Sequence, residues 1–489
     1  MKRILIICLM ALFAVSCDLD QLPSEGIVAE SLSNNYEGLL AATDGNYAMM
    51  KDVITYYGAD NTANYWIRHY HHLSEYASDN VMLSGSTTDP LYYVFTREHF
   101  ASMNNTSYLW FSSYRIINGA NQIIAALSDP EDEDSKQLLG ENYFLRAFMH
   151  LELLKLFAMP YSHGRDNDGV ILKTSVEDSP LMARSTVGEC YDQIEADLLL
   201  AVDLMGASRG SAFGSAVAAQ ALLSRVYLHM ERWQDAIDYA DEVIANGAFE
   251  LEPKSNYVNA FYNSASSTEA IWYVAQLLQD DKTLAAVGSM YLTDQGLGWG
   301  EIYPSESLRD LLGQYPQDVR NDFIKPDYED DGVTVKERNG YPKYFITKFS
   351  YQDDVVTLNS PQMIRLGEVY LNRAEAYAHQ GDIDKALTDV NTIRQRAGLT
   401  GTDLYTSADF KGFTNILEVV LNERRLELAW EGFRTQDLVR NKMDIDRSYP
   451  GVHLLNGETD QVIPWSDNRN IFYIPLNELT NNIEVDQNP

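Results

Sequence analysis

Two stretches of the chain superpose with a constant offset of 150 residues: "LLSRVYLHMERWQDAIDYADEVI" from Leu222 to Ile244 and "NRAEAYAHQGDIDKALTDVNTIR" from Asn372 to Arg394. Tyr227 falls on Tyr377, His229 on His379 and Ala236 on Ala386. In each stretch an aromatic on a first helix precedes by nine residues an alanine on a second. That is tetratricopeptide spacing, in which the small side chain lets two antiparallel helices approach closely. Such a pair has an apolar face it cannot bury alone, and a free-standing stack needs about three units or more. Two legible pairs therefore require further helices whose repeats have diverged, or support from the rest of the protein.

Helical periodicity extends beyond the pairs. "LWFSSYRIINGANQIIAAL" (Leu109 to Leu127) and "LLGENYFLRAFMHLELLKLFAM" (Leu138 to Met159) repeat apolar residues every three or four positions without internal proline, as amphipathic helices do. Pro160 ends the second, and the acidic "DPEDEDS" between them reads as a solvated loop leading into it. Between the two pairs the texture changes. "EAIWYVAQ" alternates like a strand, "TDQGLGWGEIYPSES" is glycine-rich, "KPDYEDDGVTVKER" reads as a turn into a strand, and "YPKYFITKFS" has strand composition. The expected fold is mostly α: tetratricopeptide-like pairs forming a helical scaffold, with loops and short strands from about Phe249 to Pro361. Residues 17–248 then form a helical region with the first pair and residues 249–489 carry the insertions and the second. Irregular surface of this kind is where binding groups usually sit.

At the amino end, Lys2 and Arg3 precede an apolar run from Ile4 to Val15, roughly a dozen residues against the ~20 that cross a bilayer as a helix. Residues 1–16 read as an export signal. Ala14 and Ser16 stand just before Cys17, a pattern that resembles the lipid-attachment site of bacterial lipoproteins, with Ala14 where leucine is usual. The other cysteines are Cys8, inside the signal, and Cys190, so no disulfide framework can form and the fold must rest on its core. With 37 basic against 71 acidic side chains the formal charge is −34, the wrong sign for releasing counterions from nucleic-acid phosphates.

Several spaced runs together resemble the SusD/RagB family of Bacteroidetes outer-membrane lipoproteins. They are "IRLGEVYLNRAEAYAHQGDIDKALTDVNTIRQRAGL", "NERRLELAWEGFRTQDLVR", "FYIPLNEL" and the terminal "QNP", with "DLDQLPSEG" after the cysteine, "LWFSSYRIINGANQII" and "ENYFLRAFMHLELLKLFAMPY" in the front half. The resemblance implies a cell-surface lipoprotein anchored through Cys17. It also implies that the protein captures a nutrient glycan for a SusC-like TonB-dependent transporter, without catalysis and without a cofactor. Peptide capture in the same architecture is one alternative; a surface glycoside hydrolase is another, from a different class.

Sugars present flat C–H patches that an exposed ring can cover while polar groups take the hydroxyls. Trp110, Trp430, Trp233 and Trp272 lie in predicted helices, a helix bend and a strand and are expected in the core; Trp465, after Pro464, stays open. Two tryptophans are candidates. Trp299 in "GLGWGE" has glycines on both sides that cannot shield its ring, and Trp66 in "NTANYWIRHYHH" stands among Tyr65, Arg68 and Tyr70. Tyr291, Tyr303, Asp79 and Asn80 are added for position and hydrogen-bonding capacity.

Other chemistry finds weaker support. His69, His71 and His72 cluster, but no second ligand group stands at zinc spacing, so no metal is assigned. "DYEDDGVTVKER" from Asp327 opens like a calcium loop, yet its twelfth position is Arg338 where a bidentate Glu belongs. The charged run Glu423, Arg424, Arg425, Glu427 and Arg434 has the spacing of ordinary ion pairing along one helix.

Overall fold

The computed structural model describes residues 35–56, 63–85, 91–454 and 461–489; Cys17 and the export segment lie outside the described residues. The first half runs α1 (Tyr36–Ala48), α2 (Trp66–Glu75), β1 (Val81–Leu83), α3 (Leu91–Thr96), α4 (Asn104–Ala126), α5 (Glu133–Phe157), α6 (Val187–Leu204), α7 (Ala216–His229) and α8 (Trp233–Asn246). Short elements follow: α9 (Tyr257–Tyr262), β2 (Ala270–Tyr273), β3 (Ile302–Pro304), α10 (Glu306–Gly313), β4 (Ile324–Pro326), β5 (Glu337–Arg338), β6 (Tyr341–Pro342), β7 (Tyr344–Ile346) and β8 (Gln362–Arg365). The chain closes with α11 (Leu366–Gln380), α12 (Ile383–Ala397), α13 (Ile416–Glu427), α14 (Arg434–Arg440), β9 (Ile445–Asp446), β10 (Val462–Ile463) and α15 (Leu476–Asn481).

Local chemistry sets the helix ends. The acidic knot starts α5: Asp132 accepts the Ser135 amide at 2.8 Å, satisfying an orphan donor of the first turn. Thr186 and Glu189 form a reciprocal capping box at α6. At the other end, α11 and α12 stop at Gly381 (φ 79°) and Gly398 (φ 103°), a left-handed geometry that a β-carbon would oppose.

The two legible repeats are α7/α8 and α11/α12, and they are neighbours: α8 packs on α11. Ala236 and Ala386 are fully buried where the helices of each pair meet. Across the junction Trp233 stacks on His379 with centroids 4.0 Å apart and planes within 5°, and Arg373 bridges Asp241 at 2.5 Å and Asp389 at 2.7 Å. The required extra units are present. α5 packs on α6 and α6 packs onto α7, while α13 covers α11 and α12 at the far end.

The chain between the pairs loops out and returns through β2 and β8, which pair antiparallel at the base of the insertion. Each sheet among the described residues is a two-stranded antiparallel ladder. β1 joins β3 with Val81 opposite Pro304 and Leu83 opposite Ile302, so the front half is stitched to the insertion. One hydrophobic cluster runs from Tyr47 to Val485, so both halves of the chain share a core.

The charged run of α13 differs from the expectation of pairing along one helix. Its partners come from other elements: Glu423 meets Arg320 at 2.6 Å and Arg394 at 2.9 Å, Glu427 meets Arg365 and Arg396, Arg424 meets Asp437 at 2.9 Å, and Arg425 donates to Asn80 at 2.9 Å. All are buried or nearly so. Their worth lies in holding elements in register, because removing one member would leave a charge unpaired in the interior. Trp430 also departs from expectation: it is buried, but in the turn after α13 at φ 67°.

Candidate functional site

The loop from Thr283 to Gly300, inside the insertion, presents Trp299 with its side chain half exposed (50%). The ring is fixed from two sides. The Trp299 amide donates to the Ser289 carbonyl at 2.6 Å, and the indole Nε1 donates to the Leu284 carbonyl at 3.0 Å. The flanking glycines are needed for more than exposure. At Gly298 (φ 87°) a β-carbon would lie 2.0 Å from the Leu292 carbonyl oxygen; at Gly300 (φ 55°) it would lie 2.8 Å from the Phe345 ring. Only glycine lets the backbone turn this tightly around the tryptophan. With its N–H already bonded and its backbone clamped, the indole pays little entropy when a ligand covers its face.

Leu284 and Leu297 of the same loop are also exposed, and polar groups of the loop and of the segments it contacts form its rim. Asp294 accepts the Tyr351 hydroxyl at 2.6 Å and the Lys325 ammonium at 3.0 Å. These two donors hold its carboxyl below the ordinary carboxylate range, so it is an ionised acceptor. Glu301 accepts Arg338 at 2.6 Å, and Asn339 reaches the Ser84 carbonyl at 3.0 Å, tying the rim to the chain after β1. The loop thus combines a half-exposed indole with a rim of donors and acceptors.

The other sequence candidates are packed inside. Trp66 is fully buried, stacks on Tyr70 with centroids 4.9 Å apart, and donates Nε1 to Ser113 at 2.8 Å. Tyr65 is buried and donates its hydroxyl to the Ala285 carbonyl at 2.7 Å, while Arg68 donates to the Ala63 carbonyl at 2.9 Å. Tyr291 and Tyr303 are buried, the latter opposite Met82 in the β1–β3 ladder. Asp79 is buried and meets Arg434 at 2.8 Å, and Asn80 joins Glu75 to Arg425. The expectation that these eight residues face a ligand is therefore corrected. α2 buries every residue from Trp66 to Glu75, because core elements surround it on all sides.

The histidines share that fate: His69 lies between Asn64 and Asn105, His72 reaches the Val287 carbonyl, and both His71 ring nitrogens lack a partner. The acids of the calcium-like loop are taken up internally. Asp327 accepts Lys336 at 2.9 Å and Lys343 at 3.0 Å, and Asp331 caps Val333 and Thr334. Trp465, left open by sequence, is half-buried with its ring edge-on to His163 at 4.9 Å. Sequence reasoning missed the Leu284 carbonyl and Asp294 around Trp299. The only signal for them was their position in the same irregular loop.

A helical-repeat frame that carries a rigid, half-exposed indole in an inserted loop is the build of a binding scaffold. The chain belongs to the SusD-like family: residues 329–489 match the SusD family, and residues 49–228 match the family described as starch-binding, associating with outer membrane. It is 26% identical to SusD-like protein P2 of Formosa agariphila over 90% of each chain. Among solved structures it resembles a SusD superfamily protein of Bacteroides thetaiotaomicron at 26% identity and a TM-score of 0.80, covering 93% of this chain and 99% of that one. A laminarin-binding SusD-like protein shares the fold at 22% identity and a TM-score of 0.70, with 93% and 99% covered.

Proposed function

We propose that the protein binds a glycan by laying a sugar ring on Trp299, with the Asp294 and Glu301 rim taking hydroxyls, and that no bond is broken. The observation that carries this is the half-exposed indole clamped at both its amide and its Nε1. A pyranose offers C–H groups on one face and hydroxyls at its edge, and the exposed indole and polar rim match those two chemistries. Family membership supports a carbohydrate ligand and association with the outer membrane. On this reading Cys17 bears a lipid that holds the protein on the cell exterior, and the captured glycan passes to a SusC-like TonB-dependent transporter.

The test is direct. Titration of the wild type and Trp299→Ala with maltoheptaose and laminarihexaose should show binding that the variant weakens by roughly thirty-fold, the worth of a central aromatic anchor. Prolonged incubation should return the oligosaccharide uncut. Equal affinity of the two proteins would remove Trp299 from the site, and shortened products would replace capture by hydrolysis.

A further inference from the structure

Away from the Trp299 loop, part of one face of α4 borders recesses that the other described residues do not fill. Along it Phe111, Tyr114 and Asn118 recur at three or four residue steps and form a stripe that continues at either end into the buried Ser107 and Asn121. From Ser107 to Asn121 this stripe is about 21 Å long at the rise of an α-helix. The stripe floors two recesses of about 210 and 320 Å³ that meet at Tyr114, Asn118 and Glu478. No residue of the Thr283–Gly300 loop lines either recess.

The walls are preorganised. Tyr114 donates its hydroxyl to the Ile171 carbonyl at 2.8 Å, and its ring lies 5.0 Å from that of Trp110. Phe111 packs edge-on to Tyr56 at 5.2 Å. Glu478 is pinned by the Trp110 indole at 3.1 Å and by Asn482 at 3.2 Å. Each of these groups is held in place before anything binds. Arg115 and Asn118 differ: their side chains are exposed and make no hydrogen bond or ion pair with other described residues. An arginine without a carboxylate is notable in a chain of formal charge −34. The groove thus offers fixed ring faces together with an amide and a guanidinium that have no internal role.

We propose that this groove is a second saccharide site, taking a short neutral oligosaccharide along α4. Neutral sugar is favoured over acidic sugar because the carboxylates of Glu478 and Asp178 line the same recesses as the cations of Arg115 and Lys173, so the lining carries no excess of positive charge. Tyr114 and Phe111 supply the faces; Asn118 and Arg115 supply donors and an acceptor for hydroxyls. The proposal rests on the reading of the protein as a glycan binder, and adds a separate contact to it.

The experiment uses the whole mature chain with maltoheptaose and laminarihexaose at millimolar concentration, on the wild type, Trp299→Ala, and the double variant Arg115→Ala with Asn118→Ala. Calorimetry gives stoichiometry, and amide exchange reads the peptides spanning α4 and the Thr283–Gly300 loop. Two sites are expected in the wild type. Trp299→Ala should lose protection only at its loop, and the double variant should weaken the α4 site about ten-fold while keeping the loop site. Both altered residues are exposed, so the melting temperature should not move. A single site abolished by Trp299→Ala, with α4 exchange unchanged by sugar, would overturn the second site and leave the first. No binding by either sugar at either place would overturn both readings.

Discussion

The segment from Tyr65 to Asn80 and the loop from Thr283 to Gly300 make an instructive pair. The first is dense in rings, histidines and charged groups; the second has one tryptophan among glycines. Yet the first is buried throughout, and the second holds its indole half in solvent. Density of chemistry in a sequence records how many interactions a segment makes, and a core helix with Trp66, Tyr70 and Tyr76 makes them with its own protein. Exposure instead depends on which surfaces the rest of the fold leaves uncovered. At Gly298 the Leu292 carbonyl and at Gly300 the Phe345 ring leave no room for a β-carbon, so no side chain on either neighbour screens the Trp299 ring.

Five substitutions would break or sharpen this contrast. The largest effect is expected from Trp66→Ala, which should cost about 3–5 kcal/mol of unfolding free energy in denaturant titration, as truncation of a buried aromatic does. A loss near zero would move Trp66 to the surface and erase the contrast.

Acid should then act on the buried segment. Burial lowers the pKa of His71 to about 3, so the folded state keeps the ring neutral while the unfolded chain takes up a proton below its ordinary value of about 6.5. Stability is therefore lost as pH falls from 6.5 toward 3. His71→Phe, packing against Phe349, should recover about 2 kcal/mol at pH 5 and much less at pH 7. Glu75 has the opposite sign: burial raises its pKa to about 7, so its penalty grows as pH rises from about 4.5 through 7, and Glu75→Gln should flatten that part of the profile. A parallel vertical shift of the pH–stability curve in either variant would show that the group titrates alike in the folded and unfolded chain.

Gly298→Ala should cost about 1–3 kcal/mol, because it adds a β-carbon at φ 87° against the Leu292 carbonyl, and should weaken glycan binding although the indole is retained. Unchanged binding would show that the tight turn does not set the ring. The smallest effect on stability, within about 0.5 kcal/mol, belongs to Trp299→Ala. Should that variant melt several degrees lower, the indole is a packing residue and the two segments are alike.

Much of the frame was legible. The helix over Leu138–Met159 and its stop at Pro160 follow from periodicity and a missing amide, and the alanine spacing placed Ala236 and Ala386 at close helix contacts. The irregular region from about Phe249 to Pro361 follows from glycine, proline and alternation, but the sequence did not show the two short helices in it, α9 and α10. What sequence misjudged was non-local. Asp79 and Asn80 looked like surface hydrogen-bonding groups, but their partners, Arg434 and Arg425, lie some 350 residues further on. The charged run of α13 looked like pairing within a helix, since only neighbours along the helix are visible in a sequence.

The chain by itself determined its helices, their caps and the repeat that stacks them, because these depend on steric and hydrogen-bonding preferences of residues a few positions apart. It also determined a fold without disulfides, since Cys190 is the one thiol among the described residues and it is buried. Only the tertiary structure decided that the two repeats are neighbours, that Trp66 is core, and that Trp299 and the stripe of α4 meet solvent. Solvent exposure is what remains after every other surface has been covered, and that depends on the whole packing at once.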